Sequence, residues 1–224
     1  MWLWKIEKSI FFWQLNNYVY NILTFKKGDS MTEKEYLERK TELIEFNSYG
    51  RKDSLESCLY DRCAECRGGC CKNYPCTLSP KEFLDIKDID YMKGVLDTGV
   101  ITIAPMNMAS TFYIIRPRGI KDFDTVATGY AMEPNSCILQ GENGCILEPM
   151  VRPTEGLLLI PVEEPTFISC GCKCYYSDFS IMRDWEKYQS TLKKLMKIYK
   201  DKEVPKPEIN EETAKVYKLK LLGM

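Results

Sequence analysis

The sequence predicts an α+β fold, with a small irregular β core flanked by amphipathic helices. Residues 100–131 are rich in Val, Ile, Thr and Tyr and are broken by Pro and Gly, which is typical of short strands. Residues 181–199 carry apolar side chains at spacings of three and four, which predicts an amphipathic helix. A chain of 224 residues with 45% apolar and 28% charged side chains is large enough for one domain with a buried core.

Three parts are expected along the chain. Residues 1–30 form an aromatic-rich N-terminal extension, residues 31–204 a cysteine-rich domain, and residues 205–224 a C-terminal linker and short helix. The extension is either an aromatic helix lying on a membrane or partner surface, or upstream sequence outside the fold. We favour the second interpretation, because polar side chains interrupt its apolar pattern and a capping box follows Met31. No apolar run approaches the roughly 20 residues that a membrane-spanning helix requires.

Capping signals place the helices near the start of the domain. Thr32 and Glu35 form a capping box that predicts a helix over residues 33–47. Ser79 and Glu82 form a second box, with Pro at the first helical position. They predict a helix that ends by Gly94 or Gly99.

Punctuation residues place the later elements. A Pro-Lys-Pro break at 205–207 ends the long helix, and Asn210 caps a short amphipathic helix over residues 211–222, which either packs back or binds a partner. Asn143-Gly144 predicts a hairpin that joins residues 137–139 to residues 145–147. The other expected strands are 100–103, 111–115, 125–127 and 157–160.

The charge balance and the lack of histidine exclude several classes of function. Thirty-one basic and 32 acidic residues leave a net charge of −1, so no overall basic field attracts nucleic acid. With no His in the chain, Ser-His-Asp and Cys-His catalysis and imidazole metal ligation are excluded. Any metal must therefore bind sulfur, carboxylate, phenol or backbone oxygen.

Cysteine usage indicates a reducing compartment. The count of 11 is odd, and Lys5, Glu7 and Lys8 lie where a signal peptide needs its apolar stretch. We therefore expect a cytoplasmic protein. In the cytosol, clustered cysteines indicate a metal site or redox chemistry more often than structural disulfides.

Ten of the cysteines fall into three groups, which predicts a metal centre at the core of the fold. In the first group, a Cys-x-x-Cys pair lets two thiolates converge on one ion, and neighbouring glycines let the loop curl around it. The hairpin brings the second group together, and an extended backbone would put the third group on one face. The predicted ligands are Cys63, Cys66, Cys70, Cys71 and Cys76 in the first group, Cys137 and Cys145 in the second, and Cys170, Cys172 and Cys174 in the third.

Some of these residues also have a purely structural interpretation. Adjacent Cys70 and Cys71 point to opposite sides of an extended backbone, so they serve different centres or only one is a ligand. Cys58 is explained equally well as a metal ligand and as a small buried apolar residue. For Cys76 the same two interpretations apply, and metal ligation is slightly favoured. The arginines of the middle region either bind a carboxylate or phosphate or pair with backbone carbonyls. They are Arg116, Arg118 and Arg152.

The cysteine motifs follow one another in a fixed order along residues 58–176. Cys-x-x-Cys and a double Cys at 63–71 are followed by Cys-x-Leu-x4-Gly-Cys-x-Leu at 137–147, by Arg152-Pro153 and by a late cysteine cluster. This pattern resembles that of the YkgJ-type cysteine-cluster family. The resemblance implies a zinc- or iron-chelating domain, with a similar cluster in flagellin lysine methylases. The commoner family motif has one residue fewer before the double Cys and a Cys shortly after Arg-Pro. This chain lacks that Cys, so the late ligand would come from Cys170, Cys172 or Cys174.

Iron–sulfur or iron is the expected cofactor, with zinc a close alternative. Both a closed zinc site and an iron–sulfur cluster commonly use four thiolates, and nearby basic side chains would stabilise either one. Because the cysteines are scattered across residues 63–174, a centre assembled by the tertiary fold is favoured over a local zinc knuckle.

The expected function is that of a metal-binding protein with a redox, metal-handling or accessory role. One alternative is an enzyme that uses an iron–sulfur cluster in a methylase-like or oxidoreductase reaction. Another is a zinc-stabilised module whose terminal helices bind a protein partner. No phosphate-binding glycine loop, dinucleotide fingerprint or recognisable S-adenosylmethionine site is present in the sequence to favour the enzyme.

Overall fold

The computed structural model describes residues 31–32, 34–38, 41, 71–72, 75–106, 109, 111–131, 133–142, 144–148, 151–157, 160–161, 174–175 and 180–224. Helices and small antiparallel sheets both occur in these residues, so the α+β prediction is confirmed. Besides the helical residues 34–38, 41 and 71–72, the described helices are α1 (Ile89–Leu96), α2 (Thr154–Leu157), α3 (Ser180–Asp184), α4 (Gln189–Tyr199) and α5 (Glu211–Leu221). The strands are β1 (Ile101–Pro105), β2 (Tyr113–Pro117), β3 (Gln140–Gly141), β4 (Gly144–Cys145), β5 (Ile160–Pro161) and β6 (Cys174–Tyr175).

The first capping box is confirmed. The backbone N–H of Thr32 donates to Glu35 Oε2 at 2.8 Å, and the N–H of Glu35 donates to Thr32 Oγ1 at 3.2 Å. Residues 34–38 and 41 are helical, and the rest of the predicted helix over 33–47 lies outside the described residues.

The second capping box forms, but the helix predicted after it is wrong in length. Ser79 and Glu82 cap a 3₁₀ turn, Pro80–Glu82, and Phe83 then adopts an extended conformation. Phe83 is 1% exposed and packs edge-on against Trp185, with ring centroids 5.9 Å apart. Burial of this ring turns the chain out of the helix, and α1 begins separately after Asp88, whose side chain caps it.

A two-stranded antiparallel sheet lies in the core. Strand β1 pairs with β2 in a register that sets Ile103 opposite Ile115, and both side chains are fully buried. The strand predicted at 125–127 is reduced to a single parallel bridge between Ile103 and Val126. Two hydrogen bonds support that bridge, from the N–H of Ile103 to the Thr125 carbonyl (2.8 Å) and from the N–H of Ala127 to the Ile103 carbonyl (2.9 Å).

The apolar stripe predicted at 181–199 is helical throughout its described length. It is divided into α3, a 3₁₀ segment (Trp185–Tyr188) and α4. Trp185 is fully buried, and its Nε1–H donates to the Leu78 carbonyl at 2.8 Å. This bond fixes the helical stripe against the segment that enters the 3₁₀ turn Pro80–Glu82.

The C-terminal helix α5 packs back onto the rest of the molecule. Asn210 caps it as predicted, accepting a hydrogen bond from the N–H of Thr213. Tyr91 on α1 donates its hydroxyl to the Leu221 carbonyl at 2.7 Å, and the N–H of Met31 donates to the Leu222 carbonyl at 2.9 Å. Among the described residues, no helix combines the length and apolarity needed to cross a bilayer.

Candidate metal centre

The structure describes part of the predicted cysteine set. It gives the side chains of Cys71, Cys76, Cys137 and Cys145 and the backbone of Cys174 in β6. Five predicted ligands lie outside the described residues: Cys63, Cys66, Cys70, Cys170 and Cys172. Within the described part, no group of three or more Cys, Asp or Glu side chains is arranged to hold a metal ion. A complete set of ligands would therefore have to include residues from outside that part.

Cys71 and Cys137 are joined through their backbones. The N–H of Cys137 donates to the Cys71 carbonyl at 2.7 Å, and the Ser136 hydroxyl donates to the Lys72 carbonyl at 2.8 Å. Cys137 is 5% exposed, and Cys71 is half-buried. Cys71 of the first cysteine group thus lies directly against Cys137, the first residue of the second group.

The hairpin that carries Cys145 forms at the predicted turn. Strands β3 and β4 pair Gln140 with Cys145 and Gly141 with Gly144. Gly144 has a φ of 109°, a conformation that glycine adopts without the penalty a side chain would add. The paired strands are shorter than predicted, because Cys137 instead forms a bridge with Gly119.

Cys76 lies against the helix α2. A Cβ atom added to Gly156 would be 3.4 Å from Cys76 Sγ, an ordinary van der Waals contact, so the sulfur lies directly beside this turn of helix. The N–H of Thr77 donates to the Glu155 carboxylate, and the N–H of Glu155 donates to the Thr77 carbonyl at 3.4 Å. Because α2 includes Leu157, the strand predicted at 157–160 is wrong over its first residue; its last residue, Ile160, lies in β5, and residues 158–159 lie outside the described part.

Arg152 connects the hairpin to α2. Its Nε–H donates to the Leu147 carbonyl at 3.0 Å, and its Nη2 donates to the Cys145 carbonyl at 3.4 Å. The structure thus bears out pairing of this arginine with backbone carbonyls next to a candidate ligand.

The other two arginines are buried and make internal bonds. Arg116 pairs with Asp122 at 2.8 Å, and both side chains are at most 3% exposed. Arg118 donates through Nη1 to the carbonyls of Gly99 (3.3 Å) and Val204 (2.8 Å). These contacts favour the structural interpretation of both residues.

Two further groups near the cysteines were not singled out from the sequence. Burial raises the pKa of Tyr217 well above its ordinary value, and the nearby Glu82, Tyr91, Cys137 and Cys145 raise it further. Tyr217 on α5 is therefore a buried phenol near enough to both thiols for them to affect its pKa. The only sequence signal for Tyr217 was its place in a capped amphipathic helix.

Glu155 is the second of these groups. It lies beside the segment that carries Cys76, although the two residues are far apart in sequence. Burial raises the pKa of its carboxyl group, and the hydrogen bond from Thr77 opposes that shift. No sequence pattern identified this residue, because only the fold of α2 against residues 76–77 encloses it.

Three of the described cysteines lie in the apolar core or against it. Cys137 belongs to the main apolar cluster, and Cys71 and Cys145 pack against that cluster. Thiolates in a largely dry setting are the donors used by zinc and by iron–sulfur clusters.

The chain matches no protein-family model, and comparisons with curated proteins and with solved structures also find no match.

Proposed function

We propose that this protein binds a metal centre through its clustered cysteines, with a redox, metal-handling or accessory role. The observation that carries the proposal is the 2.7 Å hydrogen bond between the backbones of Cys71 and Cys137. It brings a segment that continues the Cys-x-x-Cys motif against the hairpin that holds Cys145. Cysteines from two distant parts of the sequence therefore lie in one region, which supports a shared centre.

Several features support the choice of sulfur ligands. The chain contains no histidine, so thiolates are its strongest donors for a soft or borderline metal. The cysteine pattern that resembles the YkgJ-type family agrees with this chemistry. The ligand set that we propose is the ten cysteines Cys63, Cys66, Cys70, Cys71, Cys76, Cys137, Cys145, Cys170, Cys172 and Cys174, acting in a reducing cytoplasm.

An iron–sulfur cluster or iron is the metal that we propose first. A centre whose ligands are scattered over residues 63–174 would be assembled by the whole fold rather than by a local zinc knuckle, and an iron–sulfur cluster takes the thiolates it offers. Zinc bound by four of the same thiolates is the close alternative. The zinc alternative would make the protein a folded interaction module rather than a redox protein.

Purification without oxygen, followed by measurement of metal and acid-labile sulfide per chain, tests the proposal. Brown protein with iron and sulfide supports the iron–sulfur site, and colourless protein with stoichiometric zinc supports the module. Folded protein that holds neither metal, with thiols that react freely, contradicts metal binding altogether.

A further inference from the structure

Asp122 is the centre of a buried hydrogen-bond network near the cysteines. Its carboxylate accepts bonds from Arg116 Nη1 (2.8 Å) and Nη2 (3.3 Å), from the Gly119 N–H (2.6 Å) and from Asn135 Nδ2 (3.1 Å). Asp122, Arg116 and Asn135 are at most 6% exposed. A buried carboxylate with this many donors is strongly held, and its loss would leave an unpaired guanidinium.

The network fixes one loop against the segment that carries Cys137. The N–H of Lys121 donates to Asn135 Oδ1 at 3.0 Å, and the N–H of Ile120 donates to the Ser136 carbonyl at 2.8 Å. On the far side of Cys137, the N–H of Ile138 donates to the Arg118 carbonyl at 2.9 Å. Cys137 is therefore held on both sides by the loop at 118–122.

Gly119 makes this close approach possible. A Cβ atom at this position would lie 2.1 Å from the Asn135 side chain, well inside van der Waals contact. Gly119 also forms the antiparallel bridge to Cys137. Asn135 cannot move aside easily, because Asp122 and the Lys121 N–H hold both ends of its amide.

We propose that Asp122, acting with Arg116 and Asn135, is the positioning group that holds Cys137 in the metal site. This inference rests on the metal-binding function proposed above. The network holds the segment at 135–138 from one side while the Cys71 carbonyl accepts the Cys137 N–H from the other. Weakening the network should therefore release Cys137 from Cys71 before the rest of the core unfolds.

The test compares Asn135→Ala and Asp122→Asn with the matched control Gln189→Ala. Like Asn135, Gln189 forms hydrogen bonds to the backbone through its side-chain amide. It accepts from the Tyr113 N–H (2.9 Å) and donates to the Tyr113 carbonyl (2.8 Å), at the edge of β2. Asn135→Ala keeps the Arg116–Asp122 pair, so it remains informative if Asp122→Asn fails to fold. Each variant is purified without oxygen and examined for metal affinity, by chelator competition, and for amide hydrogen exchange of Cys137.

We expect the Asn135 and Asp122 variants to bind the metal roughly tenfold more weakly, or worse, as for other residues that orient a ligand. We also expect Cys137 amide exchange to accelerate on the order of tenfold in these two variants. The control Gln189→Ala should leave metal affinity and Cys137 exchange unchanged, although its melting temperature falls by a similar amount. Unchanged metal affinity in folded Asn135→Ala, or unchanged exchange, overturns the positioning role. Wild-type protein without metal overturns the proposed function instead, and the exchange measurement then decides whether the network holds Cys137.

Discussion

The backbone N–H of Cys137 donates a 2.7 Å hydrogen bond to the carbonyl oxygen of Cys71. The two residues are far apart in sequence, and each belongs to a different cysteine group. Cys137 is nearly fully buried, so this bond is shielded from water and contributes to the close placement of the two groups.

Cys137→Ser should lose metal. A serine hydroxyl is a poor ligand for zinc or iron at neutral pH, and a buried hydroxyl also lacks the thiol's favourable packing. Measurement of metal per folded chain, with melting temperature, checks this expectation. Cys58→Ser is the control, because Cys58 lies outside the proposed ligand set. Metal content in Cys137→Ser equal to that of the wild type would remove Cys137 from the site.

Gly119→Ala should destabilise the protein, whereas Gly94→Ala should stabilise it. A Cβ atom at Gly119 would displace the Asn135 amide from its two buried bonds, which costs about 1–3 kcal/mol. Gly94 is within α1 with no atom within 4 Å of its added Cβ, so alanine should contribute about 0.5–1 kcal/mol of helix stability. Urea unfolding gives both free energies, and equal changes in the two variants would contradict the close packing at Gly119.

Trp185→Phe should lower the free energy of unfolding by about 2–3 kcal/mol. The substitution leaves a cavity in the core and leaves the Leu78 carbonyl without the indole donor that lies 2.8 Å away. The exposed Ile198→Ala on α4 is the control, with an expected change within about 0.5 kcal/mol. A loss no larger for Trp185→Phe than for the control would show that the indole N–H adds nothing to stability.

Asp97 should make stability depend on acid pH. Burial acts to raise the pKa of Asp97, but hydrogen bonds from Lys202 and Tyr199 lower it below its ordinary value. Because the folded pKa is depressed, the contribution is present above the unfolded pKa of about 4 and is lost as pH falls through the folded value. The carboxylate is 41% exposed, so Asp97→Asn should cost less than about 1 kcal/mol at pH 7.

Urea unfolding of the wild type and of Asp97→Asn at several pH values checks this prediction. The difference between the two proteins should shrink as the pH is lowered from neutral to about 3. A difference that stays constant over this range would mean that the Asp97 charge does not contribute to folding.

Local signals in the sequence predicted the helix starts and the hairpin well. Thr32, Ser79 and Asn210 are caps in the structure, and Gly144 is at the predicted turn. These features depend on a few neighbouring residues, so caps and turns can be predicted from the sequence without knowledge of tertiary contacts.

Features decided by tertiary contacts could not be predicted in this way. The helix after Ser79 stops because Phe83 packs on Trp185, and α2 forms where Glu155 meets Thr77. The network around Asp122 joins residues whose spacing carries no motif. For the candidate site, the cysteine ligands stay a prediction from the sequence, and Tyr217 is brought near two of these cysteines only by the packing of α5.

X-ray absorption at the edge of the bound metal tests the central claim most directly, because it counts the sulfur atoms around that metal. We predict a shell of about four sulfur atoms at about 2.3 Å in the protein purified without oxygen, and a loss of sulfur neighbours in Cys137→Ser. A shell of oxygen or nitrogen alone, or folded wild-type protein with no metal to examine, would contradict a centre built from these cysteines.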